Sequence, residues 1–165
     1  MEHVTSLGHQ HIGIIGVPEK LHYSIQHRIA GLKSAAEKAG IDYTALPRAD
    51  GDFSTTSGSR CAAQLLRGYP DLTALVCLND RMAMGVIQYA HESGRDVPQD
   101  LTVVGYDDIP MAAASSPPLT TIDQQAPKLG QAAAVMLFDV LDGRLPDPIT
   151  LPTPLVVRQS SGPVH

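Results

Sequence analysis

Short apolar, β-branched runs alternate with amphipathic helical stretches along most of this chain, and that alternation constrains its fold more than any other feature. "HIGIIG" (11–16), "TALVCL" (73–78) and "LTVVGYDD" (101–108) read as strands, and "IDYTAL" (41–46) as another of alternating polarity. Between the first two, "SIQHRIAGLKSAAEKAG" sets Ile25, Ile29, Leu32, Ala36 and Ala39 at helical spacing, with Ser24 to cap the start and Gly40 to close the end. A second helix is expected from about Thr55 to Arg67, ended by Gly68. Asn79 and Asp80 stand where a cap belongs, ahead of "RMAMGVIQYAHESG", which Gly94 closes. Strands apolar on both faces belong to buried parallel sheets. The expected fold is therefore α/β: a parallel sheet with helices on both faces, in three α/β/α layers. Such sheets bind ligands in the loops after the carboxyl ends of their strands. Here those loops are 17–24, 47–54, 78–80 and 106–117.

The pattern changes after Pro117-Pro118. "LTTI" reads as a short strand or crossover, residues 127–143 as a helix, and the Pro-punctuated stretch after it as extended, with a last strand at 154–158. The helix has a wide apolar face made by Leu129, Ala133, Met136, Leu137, Val140 and Leu141, but no strand–helix partner pair within the chain. Either it packs on the single sheet or it belongs to a second lobe.

Composition removes whole classes. At 165 residues, 43% hydrophobic and 18% charged, the chain suits one folded domain rather than a disordered tail. Its apolar runs are too short to span a bilayer, which takes about 20 residues, and the first ten residues do not read as a signal peptide. Cys61 and Cys77 make no disulfide framework and fit a reduced, cytoplasmic setting. With 17 acidic against 12 basic residues and no Lys/Arg cluster, this segment is not expected to bind nucleic acid itself.

The polar residues of the four loops are the candidates for chemistry. Arg28 lies one turn into the first long helix, facing the carboxyl edge, where a guanidinium offers a rigid fork of donors; otherwise it is an exposed helix arginine. Asp107 and Asp108 follow a strand directly. A carboxylate there can accept two ligand hydroxyls, or the pair simply forms a turn. Asn79 can touch ligand or cap its helix. Phe53, in a polar loop, can stack on an apolar ligand face or plug the core.

Enzyme readings are weaker. His9 and His11 are half of a conceivable metal site on one side of a strand start, with no third ligand at suitable spacing. Cys61 and Cys77 read as small buried hydrophobes. Nucleophile-elbow, P-loop and HExxH motifs are missing. No catalytic activity, cofactor or metal is expected.

Taken in order, "LGHQHIGIIGVP", "SIQHRIAGLKSAAEKAGI", "GDFSTTSG", "LNDRMAMGVIQYAHESG", "VPQDLTVVGYDDIP", "PPLTTIDQ" and "LPTPLVVRQSS" resemble the effector-binding domain of the LacI/GalR family of transcriptional regulators. The resemblance covers almost the entire chain. It implies a periplasmic-binding-protein-like type I lobe, the C-terminal one of two joined by three crossovers around a small effector. It also implies a homodimer that meets operator DNA only through an N-terminal helix-turn-helix headpiece, absent from these residues. Residues 1–124 would be that lobe, 125–152 a segment of the mostly missing N-terminal lobe, and 153–165 the last strand and tail returning. By the same resemblance, Arg28 and Asp107 bind effector oxygens and hydroxyls, Phe53 stacks on the effector, Asn79 lies near it, and Ser24 and His22 line the pocket. His22 is not the arginine of purine-responsive members. A sugar is the implied effector, with no membrane partner. A solute-binding protein of a sugar uptake system is the competing reading.

Overall fold

A computed structural model describes residues 1–16 and 23–164. In chain order the elements are α1 (Glu2–Ser6), β1 (Ile12–Ile15), α2 (Tyr23–Lys38), β2 (Arg48–Ala49), α3 (Thr55–Gly68), β3 (Ala74–Cys77), α4 (Asp80–Glu92), β4 (Thr102–Val104), α5 (Pro110–Ala114), β5 (Thr121–Ile122), α6 (Ala126–Leu141) and β6 (Leu155–Val156). The first four strands form a parallel sheet in the order β2-β1-β3-β4, with Ile14 beside Arg48 and Val76, and Val76 beside Val104. Every residue of β1, β3 and β4 is buried, which is why these runs are apolar on both faces.

The chain leaves β1 toward one edge and returns past it to reach β3. Right-handed crossovers in opposite directions place α2 on one face and α3 on the other. Ile25, Ile29, Leu32 and Ala36 of α2 are buried as their spacing requires, and Cys61, Ala62, Leu65, Met82 and Val86 bury the α3 and α4 face. The backbones of α3 and α4 touch. A Cβ on Gly58 would lie 2.1 Å from the Met82 carbonyl oxygen, and one on Gly85 would lie 2.0 Å from that of Thr55. Only glycine permits that approach.

Beyond β4 the sheet continues without regular strand geometry. The N–H groups of Gly105 and Asp107 donate to the carbonyls of Thr120 and Ile122, each at 2.9 Å, so residues 120–123 run parallel beside 104–107. β5 also pairs antiparallel with β6, Thr121 opposite Val156. The tail is pinned next to it. Ser160 accepts from Val103 N–H through its carbonyl, accepts from Thr120 N–H through its hydroxyl at 2.8 Å, and donates that hydroxyl to the Val103 carbonyl.

Three sequence expectations need correction. Residues 41–46 are not a strand. Asp42 accepts from Thr44 N–H at 2.8 Å and starts a 3-10 turn at Tyr43–Ala45, and the edge strand is the two-residue β2 that follows. Gly68 lies inside α3, and Tyr69 follows as its cap. His9 and His11 do not share a strand face. His9 precedes β1 and is buried between the Thr73 hydroxyl at 2.9 Å and the Gly162 carbonyl at 3.0 Å, whereas His11 is exposed. Among the described residues no group of three potential ligands could hold a metal.

Candidate functional site

The order β2-β1-β3-β4 reverses direction between β1 and β3, so the crevice of this sheet opens at their carboxyl ends. Arg28 leans into it from the second turn of α2. One guanidinium nitrogen donates to the Leu78 carbonyl at the end of β3, and another lies 3.3 Å from Asp107 Oδ1. The guanidinium plane also stacks on Tyr106, 3.8 Å from the ring centroid. Three anchors from two loops thus fix a side chain that has many rotamers.

Asp107 comes from the loop after β4, where the backbone leaves regular geometry, with φ of 121° at Asp107 and 53° at Asp108. These adjacent carboxylates diverge. Asp107 turns to Arg28 and accepts from the side-chain amide of Gln124, while Asp108 turns away to Arg158, 2.8 Å distant. Arg28 and Asp107 side chains keep only 15% and 25% of their surface exposed. Burial raises the Asp107 pKa above the ordinary aspartate value, opposed by the Arg28 charge and then by the Gln124 hydrogen bond. The result is a partly dried, fixed array of donors and an acceptor, suited to binding a polyhydroxylated molecule and orienting it.

The loop after β2 approaches from the other side of β1. Asp52 accepts from Ser54 N–H at 2.9 Å, and hydrogen bonds from Ser54 and Ser57 hold its pKa down to about 2. Phe53 sits at φ 66° with its ring partly buried against the core. Asn79 is buried and occupied. Its carbonyl oxygen accepts from Met82 N–H and caps α4, and its amide donates to the Phe53 carbonyl, both at 2.9 Å. Asn79 therefore braces the Phe53 loop as well as its own helix. His22 lies outside the described residues, as does the side chain of Ser24.

A cavity of about 700 Å³ begins at Arg28, Tyr106 and Gln124 and runs back along α2 to Lys38. Asp107, Phe53 and Asn79 stand outside it, on the loops of the carboxyl edge. The structure thus brings Arg28 and Asp107 together and sets Phe53 and Asn79 in mutual contact across the strand ends. Sequence reasoning missed Tyr106 and Gln124. Both flank named motif residues, and the signal for Gln124 was the "TTIDQ" run, which lies alongside residues 105–107.

Fold and site together define a lobe of the periplasmic-binding-protein-like class. A sequence profile described as a periplasmic binding protein-like domain matches residues 1–161. The chain belongs to that family, within its LacI/GalR branch. It is 37% identical over 144 residues to the HTH-type transcriptional regulator MalR of Streptomyces coelicolor, covering 86% of this chain and 41% of that protein. A dimeric lac repressor structure superposes with a TM-score of 0.91 at 34% identity, covering 99% of this chain and 60% of the other. The complex of the transcriptional regulator CelR with cellobiose gives 0.86 at 32% identity, covering 96% and 49%. The chain spans about four tenths of the length of the curated relative MalR.

Proposed function

We propose that this chain is the ligand-sensing lobe of a LacI-type transcriptional regulator, and that its ligand is a small sugar. The Arg28–Asp107 pair at the sheet's switch point carries this reading, because it joins a fixed hydroxyl acceptor to a fixed fork of donors. Tyr106 and Gln124 hold that pair in place, and Phe53 supplies an apolar platform. CelR, a relative of the same fold, has been captured with cellobiose.

Regulation would follow from a population shift. Residues 125–152 belong, in this reading, to a facing lobe, and sugar favours one arrangement of the two lobes over the other. The shift can be no larger than the sugar's differential affinity, typically about 1–3 kcal/mol of coupling. Two such proteins pair as a homodimer, and operator DNA is read by a helix-turn-helix outside these 165 residues, in the cytoplasm. The chain performs no catalysis of its own. The regulator reading is preferred to an uptake protein because relatives such as MalR and CelR are transcriptional regulators.

The test is a chemical-shift titration of the isotope-labelled chain with D-glucose, D-ribose, maltose and cellobiose. At least one sugar should shift the amides around Arg28 and Asp107 saturably. Asp107→Ala should weaken that binding by about 1–3 kcal/mol, since Arg28 is left without its carboxylate. No saturable shift with any of the four, or an affinity indifferent to Asp107→Ala, overturns the reading.

A further inference from the structure

Behind Asp107 lies a carboxylate that solvent does not reach. Asp80 is fully buried at the first turn of α4. Its Oδ2 accepts from Ile109 N–H at 2.9 Å, its Oδ1 accepts from the Thr121 hydroxyl, and its own N–H donates to the Tyr106 carbonyl at 2.8 Å. The partners at 106 and 109 bracket Asp107, and the third stands on β5. Gly105 makes room for this arrangement, since a Cβ there would lie 2.3 Å from Asp80 Oδ1. Helix capping does not account for the carboxylate, because Asn79 already caps α4. Burial pushes the Asp80 pKa up, with Asp107 and Asp108 adding to the shift, so the fold retains this group at an electrostatic cost.

We propose that Asp80 is a positioning residue whose carboxylate reinforces the backbone pairing of the Asp107 loop with β5, the strand that leads to Gln124, and anchors both to α4, so that the ligand-facing groups and β5 move as one unit. This deepens the sugar-sensing reading and rests on it for its purpose, though not for its geometry. β5 pairs with β6, so the lock reaches both segments that connect to α6. A displacement of the 106–109 loop by ligand is thereby passed to the chain entering and leaving residues 125–152. The backbone bonds from Gly105 and Asp107 already join the loop to residues 120–122, and the Asp80 side chain adds the contact that ties Ile109 and Thr121 together to α4.

Two variants test it in the full chain. Thr121→Val removes one donor while keeping the shape, and Asp80→Asn removes the charge. Amide hydrogen exchange at Asp107 and Ile109 should quicken roughly tenfold or more in both, while α3 keeps its protection and Thr121→Ser restores the wild-type rates. Unchanged exchange at these two amides, or equal quickening throughout the molecule, overturns the proposal. Thr121→Val keeps the test decisive if Asp80→Asn does not fold. In titrations with the same four sugars, Asp80→Asn should weaken binding roughly five- to a hundredfold in the wild-type background. It should weaken binding no further in an Asp107→Asn background, because the two residues act through one contact. Additive losses overturn the positioning role. If no sugar binds the wild-type chain, the sensor reading fails while the exchange measurement still decides the lock.

Discussion

A half-buried carboxylate facing a guanidinium is held between two opposing costs, and Asp107 shows which one wins. Burial outweighs the charge of Arg28, so the carboxyl takes up a proton at a higher pH than an ordinary aspartate. A ligand hydroxyl needs the ionised form as acceptor. Sugar affinity should therefore be full at neutral pH and fall as the pH drops through that raised pKa, earlier than an exposed aspartate would dictate. Titrations from neutral pH down to about pH 4 should show this, and Asp107→Asn should remove its share of the slope along with most of the affinity. Asp52 carries the opposite sign. Its pKa is depressed to about 2 in the fold, so it stabilises the folded chain above its unfolded value, and that contribution is lost as the pH falls through about 2. Asp52→Ala should flatten the acid limb of thermal stability and loosen the loop that holds Phe53. The Asp107 and Arg28 positions were legible because an aspartate at a strand's end and an arginine in a helix's second turn both face the carboxyl edge of a parallel sheet. Tyr106 and Gln124 were not, because stacking on Arg28 and reaching Asp107 depend on which segments run side by side beyond β4.

Helices were more legible than strands at the next scale up. α2, α3, α4 and α6 lie within a few residues of where apolar spacing puts them, since each must bury or present one continuous stripe. The 41–46 segment misled because its two buried residues, Tyr43 and Leu46, lie three apart across an Asp42-capped turn, which is not the spacing of one strand face. β2 has only two residues, and its pairing with Ile14 and Ile15 is set by the fold rather than by any local pattern. The glycines separate in the same way. Gly58 in α3 would drive a Cβ against α4 backbone that has no side chain to swing aside, whereas a Cβ on Gly31 in α2 meets nothing within 4 Å. Gly58→Ala should cost about 1–3 kcal/mol or more, as overpacked sites do. Gly31→Ala should stabilise the chain by about 0.5–1 kcal/mol through helix propensity. Urea denaturation of both variants, read against wild type, checks the pair, and equal effects would contradict the close approach of the two helices.

At the scale of the molecule, α6 does not share in the core. None of its residues is buried, and Leu137, Phe138 and Leu141 expose 58%, 65% and 71% of their surface, with Leu145 beyond its end at 95%. A 16-residue helix without a tertiary face is only marginally stable in water, where about 12–15 residues is the threshold even for alanine-rich sequences. Two consequences follow from the same surface. The amides of α6 should exchange far faster than those of α3, although both helices are of similar length. The apolar stripe should also drive the isolated chain to self-associate as concentration rises, because contiguous exposed apolar area of this kind seeks cover. Sedimentation velocity over a concentration series should show a growing larger species for wild type and a monomer for Phe138→Ser combined with Leu141→Ser. The double variant should keep the wild-type unfolding midpoint, since neither side chain touches the sheet's core. A wild-type chain that stays monomeric throughout, or a double variant that unfolds earlier, would mean that α6 packs on its own lobe after all. Residues 125–152 would then be part of the domain they follow rather than a segment presented to another.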